Sequence, residues 1–222
     1  MRHSRRLGKT AIATTGVVLS GLVATEASAR SAPSTTTASA AQSCANSGLV
    51  HRPRSAFPNT AAGTAAYNIQ LSSIRNAVFC LVNHERTTRN LKALTFNQRL
   101  YNAAQGHVQA AVTLKWWGPG RDPHVNPQTR KNTGDRVRDT GYLTGCRSFN
   151  YGENTYTGWG NAKVTPRAAV TWWMNSSGHR ATILNRVFKE TGVAVAPGSA
   201  DRAAGSTTPA MTFVQVFGNC VR

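Results

Sequence analysis

The stretch from Thr171 to Asn185 most constrains the fold, because it holds two tryptophans, a serine-glycine turn and a histidine in fifteen residues. Apolar residues recur before the turn at the spacing of one helical face, and two more follow it. The pattern predicts a buried helix, a break at Ser177-Gly178, and a second short helix that begins at His179. A histidine at such a break is held by core on both sides, and its ring can point into a cleft.

The N-terminal region predicts export. Residues 1–29 have a basic start, an apolar run and a small-residue cleavage site, which together are typical of a secretory signal peptide. Residues 30–71 are expected to form a disordered spacer rich in Ser, Thr and Ala, followed by an irregular N-terminal arm. A compact domain is predicted over residues 72–222. No other segment is apolar enough to span a bilayer, so we expect a secreted protein that is not an integral membrane protein.

The chain is strongly basic, with 26 Lys and Arg against 8 Asp and Glu. The first 29 residues hold four basic residues and one acidic residue, so the remainder carries a formal charge of +15. This charge indicates either a solvated surface or attraction to anionic cell-envelope polymers and lipid headgroups. Nucleic acid is not an expected partner, because the basic residues are scattered and no zinc-finger or RNA-binding signature is present.

Four cysteines, Cys44, Cys80, Cys146 and Cys220, predict two disulfides in an exported chain, with three possible connectivities. We favour Cys44 with Cys80 and Cys146 with Cys220. The first bond would join the N-terminal arm to the first helix, and the second would tie a central loop to the last strand. Zinc held by four thiolates is the less favoured alternative, since no pair has C-x-x-C spacing.

Helical periodicity governs the first half of the domain. A helix is predicted from Ser72 or Ser73 to Asn90, and a second helix is predicted to be capped by Asn97. An apolar stripe is predicted along the second helix, formed by Leu100, Ala103, Ala104, His107, Val108 and Ala111. Because His107 falls on this stripe, we expect a core histidine with a satisfied ring rather than a ligand. A long loop over residues 116–133 follows, which is typical of a functional or disordered segment.

The second half mixes strands and helices. A short helix is expected over residues 134–140, and the glycine-punctuated aromatic segment over 150–160 predicts a strand edge or bulged turn. Thr165-Pro166 is typical of a helix start. Alternating residues over 191–196 and 211–217 predict two antiparallel strands. The order of elements predicts an α+β domain.

Seven motifs occur in a fixed order between residues 77 and 218 and resemble the bacterial branch of the CAP superfamily. That superfamily contains the cysteine-rich secretory proteins, antigen 5 and the plant pathogenesis-related proteins. The resemblance implies an α-β-α sandwich with a central antiparallel sheet. The motifs are CLVNHERTTRNLKALTFNQRL, AAQGH, DRVRDTGY, YGEN, WWMNSSGHRATILN, FKETGVAV and FVQVFG.

The same resemblance implies a cleft built around two histidines and one or two acids. By position, His124 matches the loop histidine, Glu153 the glutamate of the GEN motif, and His179 the later histidine. The fourth family position is often a glutamate and is Ser176 here, which weakens any transfer of a two-acid metal site.

Three functions remain open for such a cluster. Two imidazoles and a carboxylate suit zinc with an open water position, so a zinc hydrolase using His124 and His179 as metal ligands is one alternative. A second is a disulfide-stapled interaction protein without a ligand site, its Glu–His pair only pinning the loops. No G-x-S-x-G elbow and no second placed acid are present, so no catalytic residue is assigned. We therefore expect a non-catalytic module that binds a lipid or other apolar ligand, as the resemblance implies.

Overall fold

The computed structural model describes residues 44–222, and a four-stranded sheet lies at its centre. The predicted signal peptide and the first part of the spacer lie outside the described residues. The helices are α1 Ala61–Thr87, α2 Gln98–Leu114, α3 Thr133–Asp139, α4 Pro166–Asn175 and α5 Ser177–Ile183, with single 3-10 turns at Arg54–Ala56, Asn161–Lys163 and Arg202–Ala204. The strands are β1 Thr95–Phe96, β2 Ser148–Trp159, β3 Glu190–Pro197 and β4 Ala210–Val221. Across residues 44–222, no helix is both long and apolar enough to cross a membrane.

The sheet has the strand order β1-β3-β4-β2. β4 pairs antiparallel with β3, as the sequence predicted, and with β2 along the whole of β2, from Ser148 opposite Val221 to Trp159 opposite Ala210. β2 is therefore an edge strand with an unbroken register, and the alternative of a bulged turn was wrong. β1 contributes a two-residue parallel pair with β3, which is the single departure from an antiparallel sheet in the described chain.

Successive side chains of a strand point to opposite faces of the sheet, and helices cover both faces. Phe213 and Phe217 of β4 pack into a core with α1 and α4. Val214 and Val216 of the same strand pack into a second core with α2. This arrangement is an α-β-α sandwich, and the predicted fold class is confirmed.

α2 follows its prediction closely. Asn97 caps it by accepting hydrogen bonds from the backbone nitrogens of Arg99 and Leu100. The helix lies against β3 at Gly192, where an added Cβ would stand 2.0 Å from the backbone nitrogen of Tyr101. Only glycine permits this approach of helix to strand. The six residues of the predicted stripe are the buried ones: Leu100, Ala103, Ala104, His107, Val108 and Ala111.

α1 begins at Ala61, well before the start predicted at Ser72 or Ser73, and ends at Thr87 rather than Asn90. The side chain of Thr60 caps it by accepting from the nitrogen of Gly63. Its first turns are mostly exposed, so they carry no apolar stripe that periodicity could detect. The predicted irregular arm is therefore shorter and ends where α1 begins.

Both favoured disulfides are present. Cys44 of the arm is bonded to Cys80 of α1, and Cys146, just before β2, is bonded to Cys220 of β4. The two bonds fasten the arm to the first helical layer and the loop before β2 to the centre of the sheet. No free cysteine exists among residues 44–222, so the alternative of a four-thiolate zinc site was wrong.

Candidate functional site

Glu153 is the centre of the site. It lies on β2 with its side chain only 1% exposed. Arg136 Nη2 donates to Oε1 at 2.9 Å and to Oε2 at 2.7 Å. Oε1 also accepts from Thr133 Oγ1 at 3.1 Å and from His124 Nδ1 at 2.9 Å. The carboxylate is thus buried, paired with a guanidinium and held by donors from two other segments.

His124 lies in the loop between α2 and α3 and is fixed through its backbone as well as its ring. Its nitrogen donates to Asp122 Oδ1 at 2.8 Å, and its carbonyl accepts from Arg136 Nη1 at 2.9 Å. Its ring donates from Nδ1 to the carboxylate, while 37% of its side chain stays exposed. The structure therefore brings His124 and Glu153 together, with one edge of the imidazole at the surface.

His107 reaches the same carboxylate from α2. Its side chain is fully buried, and Nε2 donates to the carbonyl of Pro123 at 2.8 Å and lies 3.8 Å from Glu153 Oε1. Nδ1 is buried without a hydrogen-bond partner. The prediction of a core histidine is confirmed, but its ring is only half satisfied.

His179 belongs to a neighbouring group rather than to this contact set. Its Nδ1 lies 2.8 Å from Ser176 Oγ, and its carbonyl accepts from Asn154 Nδ2 at 3.1 Å. No hydrogen bond or ion pair within residues 44–222 joins His179 to Glu153 or His124. Ser176 separates α4 from α5, so the break predicted at Ser177-Gly178 and the helix start predicted at His179 were placed too late. Ser176 bonds the His179 ring instead of capping α5, and its extended backbone ends α4.

The two tryptophans of the stretch from Thr171 to Asn185 have opposite environments. Trp173 is fully buried, and its Nε1 donates to the carbonyl of Thr155 at 2.9 Å. Trp172 is 47% exposed, with its ring 4.8 Å from that of His179 and 5.4 Å from that of Tyr156. We call Trp172, His179 and Tyr156 the aromatic cluster.

The electrostatics of the site follow from these contacts. The hydrogen bond to Glu153 raises the pKa of His124 despite its partial burial. Burial alone would raise the pKa of Glu153, but the His124 hydrogen bond and the Arg136 charge together hold it below its ordinary value. Burial lowers the pKa of His107 and of His179. The site therefore combines an ionised acid, a guanidinium, a histidine that favours its charged form, and two neutral histidines.

Glu153 does not fit as a zinc ligand, and His124 and His179 as zinc ligands stay a prediction. The Glu153 side chain is 1% exposed and the Arg136 guanidinium lies against both carboxylate oxygens, so an ion has no open approach to them. The guanidinium would also repel a divalent cation at this distance. Within the described chain, no three His, Cys, Asp or Glu residues are grouped so that they could hold a metal ion.

Sequence reasoning missed Arg136 and Thr133, which hold the acid most directly. Both lie at the start of α3, three residues apart, so one helical face directs both side chains toward Glu153. The DRVRD segment was recognised only as part of a motif. The sequence signal that could have identified Arg136 is its position one turn after the capped start of a helix.

The described cavities lie elsewhere. Three cavities have volumes of about 670, 360 and 460 Å³, and none of them is lined by His124, Glu153 or His179. The cleft expected around these three residues stays a prediction.

Residues 79–217 match the family model described as the cysteine-rich secretory protein family, CAP. The chain belongs to the CAP family. The match covers more than half of the sequence and includes Glu153, Arg136 and both histidines of the predicted cleft. No curated protein matches the sequence.

Solved structures of bacterial proteins are similar to this CAP protein. An extracellular protein containing a SCP domain from Bacillus anthracis str. Ames is 24% identical, with a TM-score of 0.52 over 72% of this chain. This chain covers 44% of that protein. An outer surface protein from Borrelia burgdorferi is 18% identical with a TM-score of 0.48, over 65% of this chain and 90% of that one. A cysteine-rich secretory protein from Staphylococcus aureus subsp. aureus Mu50 is 17% identical with a TM-score of 0.42, over 67% and 38%.

Proposed function

We propose that this CAP protein is a secreted, non-catalytic module that binds a lipid or other apolar ligand beside the His124–Glu153 pair. The observation that carries the proposal is the engagement of Glu153. A general base or metal ligand needs a lone pair that substrate or metal can reach. Both oxygens of Glu153 already accept hydrogen bonds, and the side chain is sealed from solvent. Glu153 then has a structural role, and the site binds a ligand without catalysing a reaction.

The aromatic cluster supports an apolar ligand. An indole that is half exposed beside a second aromatic ring and a neutral imidazole presents apolar area together with polar edges. The charge of His124 also influences the pKa of His179, so the two histidines lie within electrostatic reach. A ligand that covers Trp172 would therefore meet the exposed edge of the site.

Two features support an extracellular location. Disulfides persist in oxidising compartments and are rare in the cytosol. The solved relatives include extracellular and surface proteins. Attraction to anionic cell-envelope polymers would follow from the charge, since 26 Lys and Arg outnumber 8 Asp and Glu in the sequence.

The test uses the exported full chain and a neutral apolar probe, Nile red. We expect saturable fluorescence enhancement that is weakened by Trp172→Ala. Ile69→Ala is the matched control, because Ile69 is an exposed apolar residue on α1, away from the site. A protein that neither binds the probe nor carries an apolar molecule in native mass spectrometry would rule out the proposed function.

A further inference from the structure

A cavity of about 670 Å³ lies apart from the His124–Glu153 pair, neither of which lines it. It is lined by the N-terminal arm over residues 50–54, by Tyr67 of α1, by Lys115 at the end of α2, and by the loop that joins β3 to β4. We call it the arm cavity. Its volume lies in the range of roughly 300–1,000 Å³ that small-molecule sites occupy.

The charged residues that line the arm cavity are all positive. Arg52, Arg54 and Lys115 line it, and none of its lining residues is an acid. Arg54 donates to the carbonyls of Phe57 and Pro58 and to Thr64 Oγ1, at 3.1, 3.2 and 2.9 Å. Arg52 Nη2 donates to the carbonyl of Ala56 at 3.3 Å. These acceptors are neutral, so they orient the two guanidinium groups without cancelling their charge.

A buried polar atom without a partner lies in the same wall. His51 lines the arm cavity and is 6% exposed, and its Nε2 makes no hydrogen bond. Its ring packs edge-on against Tyr67 at 5.5 Å, and the Arg54 guanidinium lies 6.0 Å from the same tyrosine ring. Burial lowers the pKa of His51, so the ring is neutral and its N–H can be placed on Nε2. Nε2 has almost no accessible surface, so the neutral ring stands behind the cavity wall and adds no charge to it.

The remaining wall is largely apolar. Val50, Pro53, Pro197 and Pro209 contribute hydrocarbon surface, and Tyr67 contributes an aromatic ring. A small hydrated ion such as phosphate would gain nothing from these groups, whereas an attached hydrocarbon would bury apolar area against them. The cations and the apolar wall together select a molecule that has both an anionic end and an apolar body.

We propose that the arm cavity binds an amphiphilic carboxylate, with the anionic group near Arg54 and Lys115 and the apolar body against the proline-lined wall. Guanidinium groups suit carboxylates because their paired N–H donors match the two oxygens. This site is separate from the aromatic cluster and goes beyond the proposed function, because it does not involve Trp172 or Glu153.

Isothermal titration of the full chain with three probes tests the chemistry. The probes are decanoate, kept below its aggregation concentration, decyltrimethylammonium and inorganic phosphate. Because opposite charge attracts and like charge repels, we expect decanoate to bind one-to-one and at least about tenfold more tightly than either other probe. Equal binding of decanoate and decyltrimethylammonium would overturn the charge selection, and no decanoate binding would overturn the site.

Two variants test the location. Lys115→Gln removes one exposed cation and should weaken decanoate binding by about two- to fivefold, as expected for a solvent-exposed charge pair. Lys92→Gln makes the same charge change on an exposed residue outside the cavity and should leave binding unchanged. Ser206→Trp places a bulky ring in the cavity from an exposed loop position and should abolish binding. Thr144→Trp is its control at an exposed turn elsewhere.

The outcomes separate this site from the proposed function. Decanoate binding that survives Ser206→Trp would place the carboxylate elsewhere and overturn the assignment to the arm cavity. Loss of Nile red binding in Trp172→Ala, with decanoate binding intact, would support two independent sites. Thermal unfolding and circular dichroism of each variant identify any that loses binding because it loses its fold.

Discussion

A single nitrogen of Arg136 contacts both carboxylate oxygens of Glu153, at 2.9 and 2.7 Å. The pair joins the first turn of α3 to edge strand β2. Nη1 of the same guanidinium donates to the carbonyl of His124. One side chain therefore fixes the acid and the loop histidine together. The position of His124 at the surface depends on this buried pair.

Arg136→Met should lower the free energy of unfolding by about 3–5 kcal/mol, because it leaves the Glu153 carboxylate buried without its cation. Urea denaturation at neutral pH measures the loss. The double variant Arg136→Met/Glu153→Gln should recover part of it, since no buried charge then remains. Arg138→Gln is the control on the same helix: its ion pair with Asp135 is exposed, so its cost should stay below about 1 kcal/mol. Equal losses for Arg136→Met and Arg138→Gln would contradict the structural role of the pair.

The pH dependence of stability should have a maximum near the ordinary histidine pKa of 6.5. The pKa of His124 is raised by folding, so its contribution is full below 6.5 and is lost as the pH rises through the folded value. The pKa values of His51, His107 and His179 are lowered, so their contribution is lost as the pH falls below 6.5. Chemical denaturation between pH 5 and pH 8.5 measures both limbs.

His124→Gln isolates the alkaline limb of that curve. It removes the one histidine among residues 44–222 whose pKa is shown to be raised, so the decline in stability above pH 6.5 should become shallower. The acid limb should persist, because burial still lowers the pKa values of His51, His107 and His179, and it should weaken only to the extent that the charge of His124 lowers those of His107 and His179. An alkaline limb that is the same in the variant would show that the Glu153 hydrogen bond does not raise the pKa of His124.

Arg86 should be among the side chains whose loss destabilises the protein most. It is 1% exposed and donates to the carbonyls of Lys92, Ile183, Asn185 and Phe188, which joins the end of α1 to the segment after α5. Arg86→Met leaves these carbonyls without their donor, and each unsatisfied group costs about 1–3 kcal/mol, so we expect a loss of about 3 kcal/mol or more. Arg89→Met is the control in the turn just after the same helix, because its pair with Glu85 is exposed and is worth at most about 1 kcal/mol. Thermal and urea unfolding compare the two, and similar losses would refute the assignment.

Metal removal should leave stability unchanged. Arg136 occupies the Glu153 oxygens that a zinc ion would need, so we expect the same unfolding temperature with and without EDTA in protein purified without a histidine tag. Elemental analysis of the same sample provides the second measurement. Stoichiometric zinc, together with a fall in unfolding temperature on chelation, would show that Arg136 leaves the carboxylate when metal binds.

The sequence was most informative where a local pattern meets the core. The stripe of α2 was predicted residue by residue because a helix packed on a sheet must repeat apolar residues at helical spacing. The first turns of α1 were missed because they are exposed and show no such repeat. Arg136 and Thr133 were missed because their contact with Glu153 spans 17 and 20 residues, and only the fold brings them together. The resemblance identified His124 and Glu153 as neighbours, but it gave no indication that an arginine neutralises the acid.

The two disulfides should contribute similarly to the stability of the protein, but they should differ in their effect on ligand binding. The loops they close span 36 and 74 residues, so loop-closure entropy predicts that removing either bond costs roughly 4 kcal/mol. Cys44→Ser/Cys80→Ser releases the arm that carries His51, Arg52 and Arg54, so decanoate binding should be lost while Nile red binding is retained. Cys146→Ser/Cys220→Ser releases the loop before β2, on the side of the sheet away from the arm, and should leave decanoate binding intact. Titrations under conditions where both variants are folded make the comparison. Decanoate binding that persists after the arm is released would mean that the arm does not form the wall of the carboxylate site.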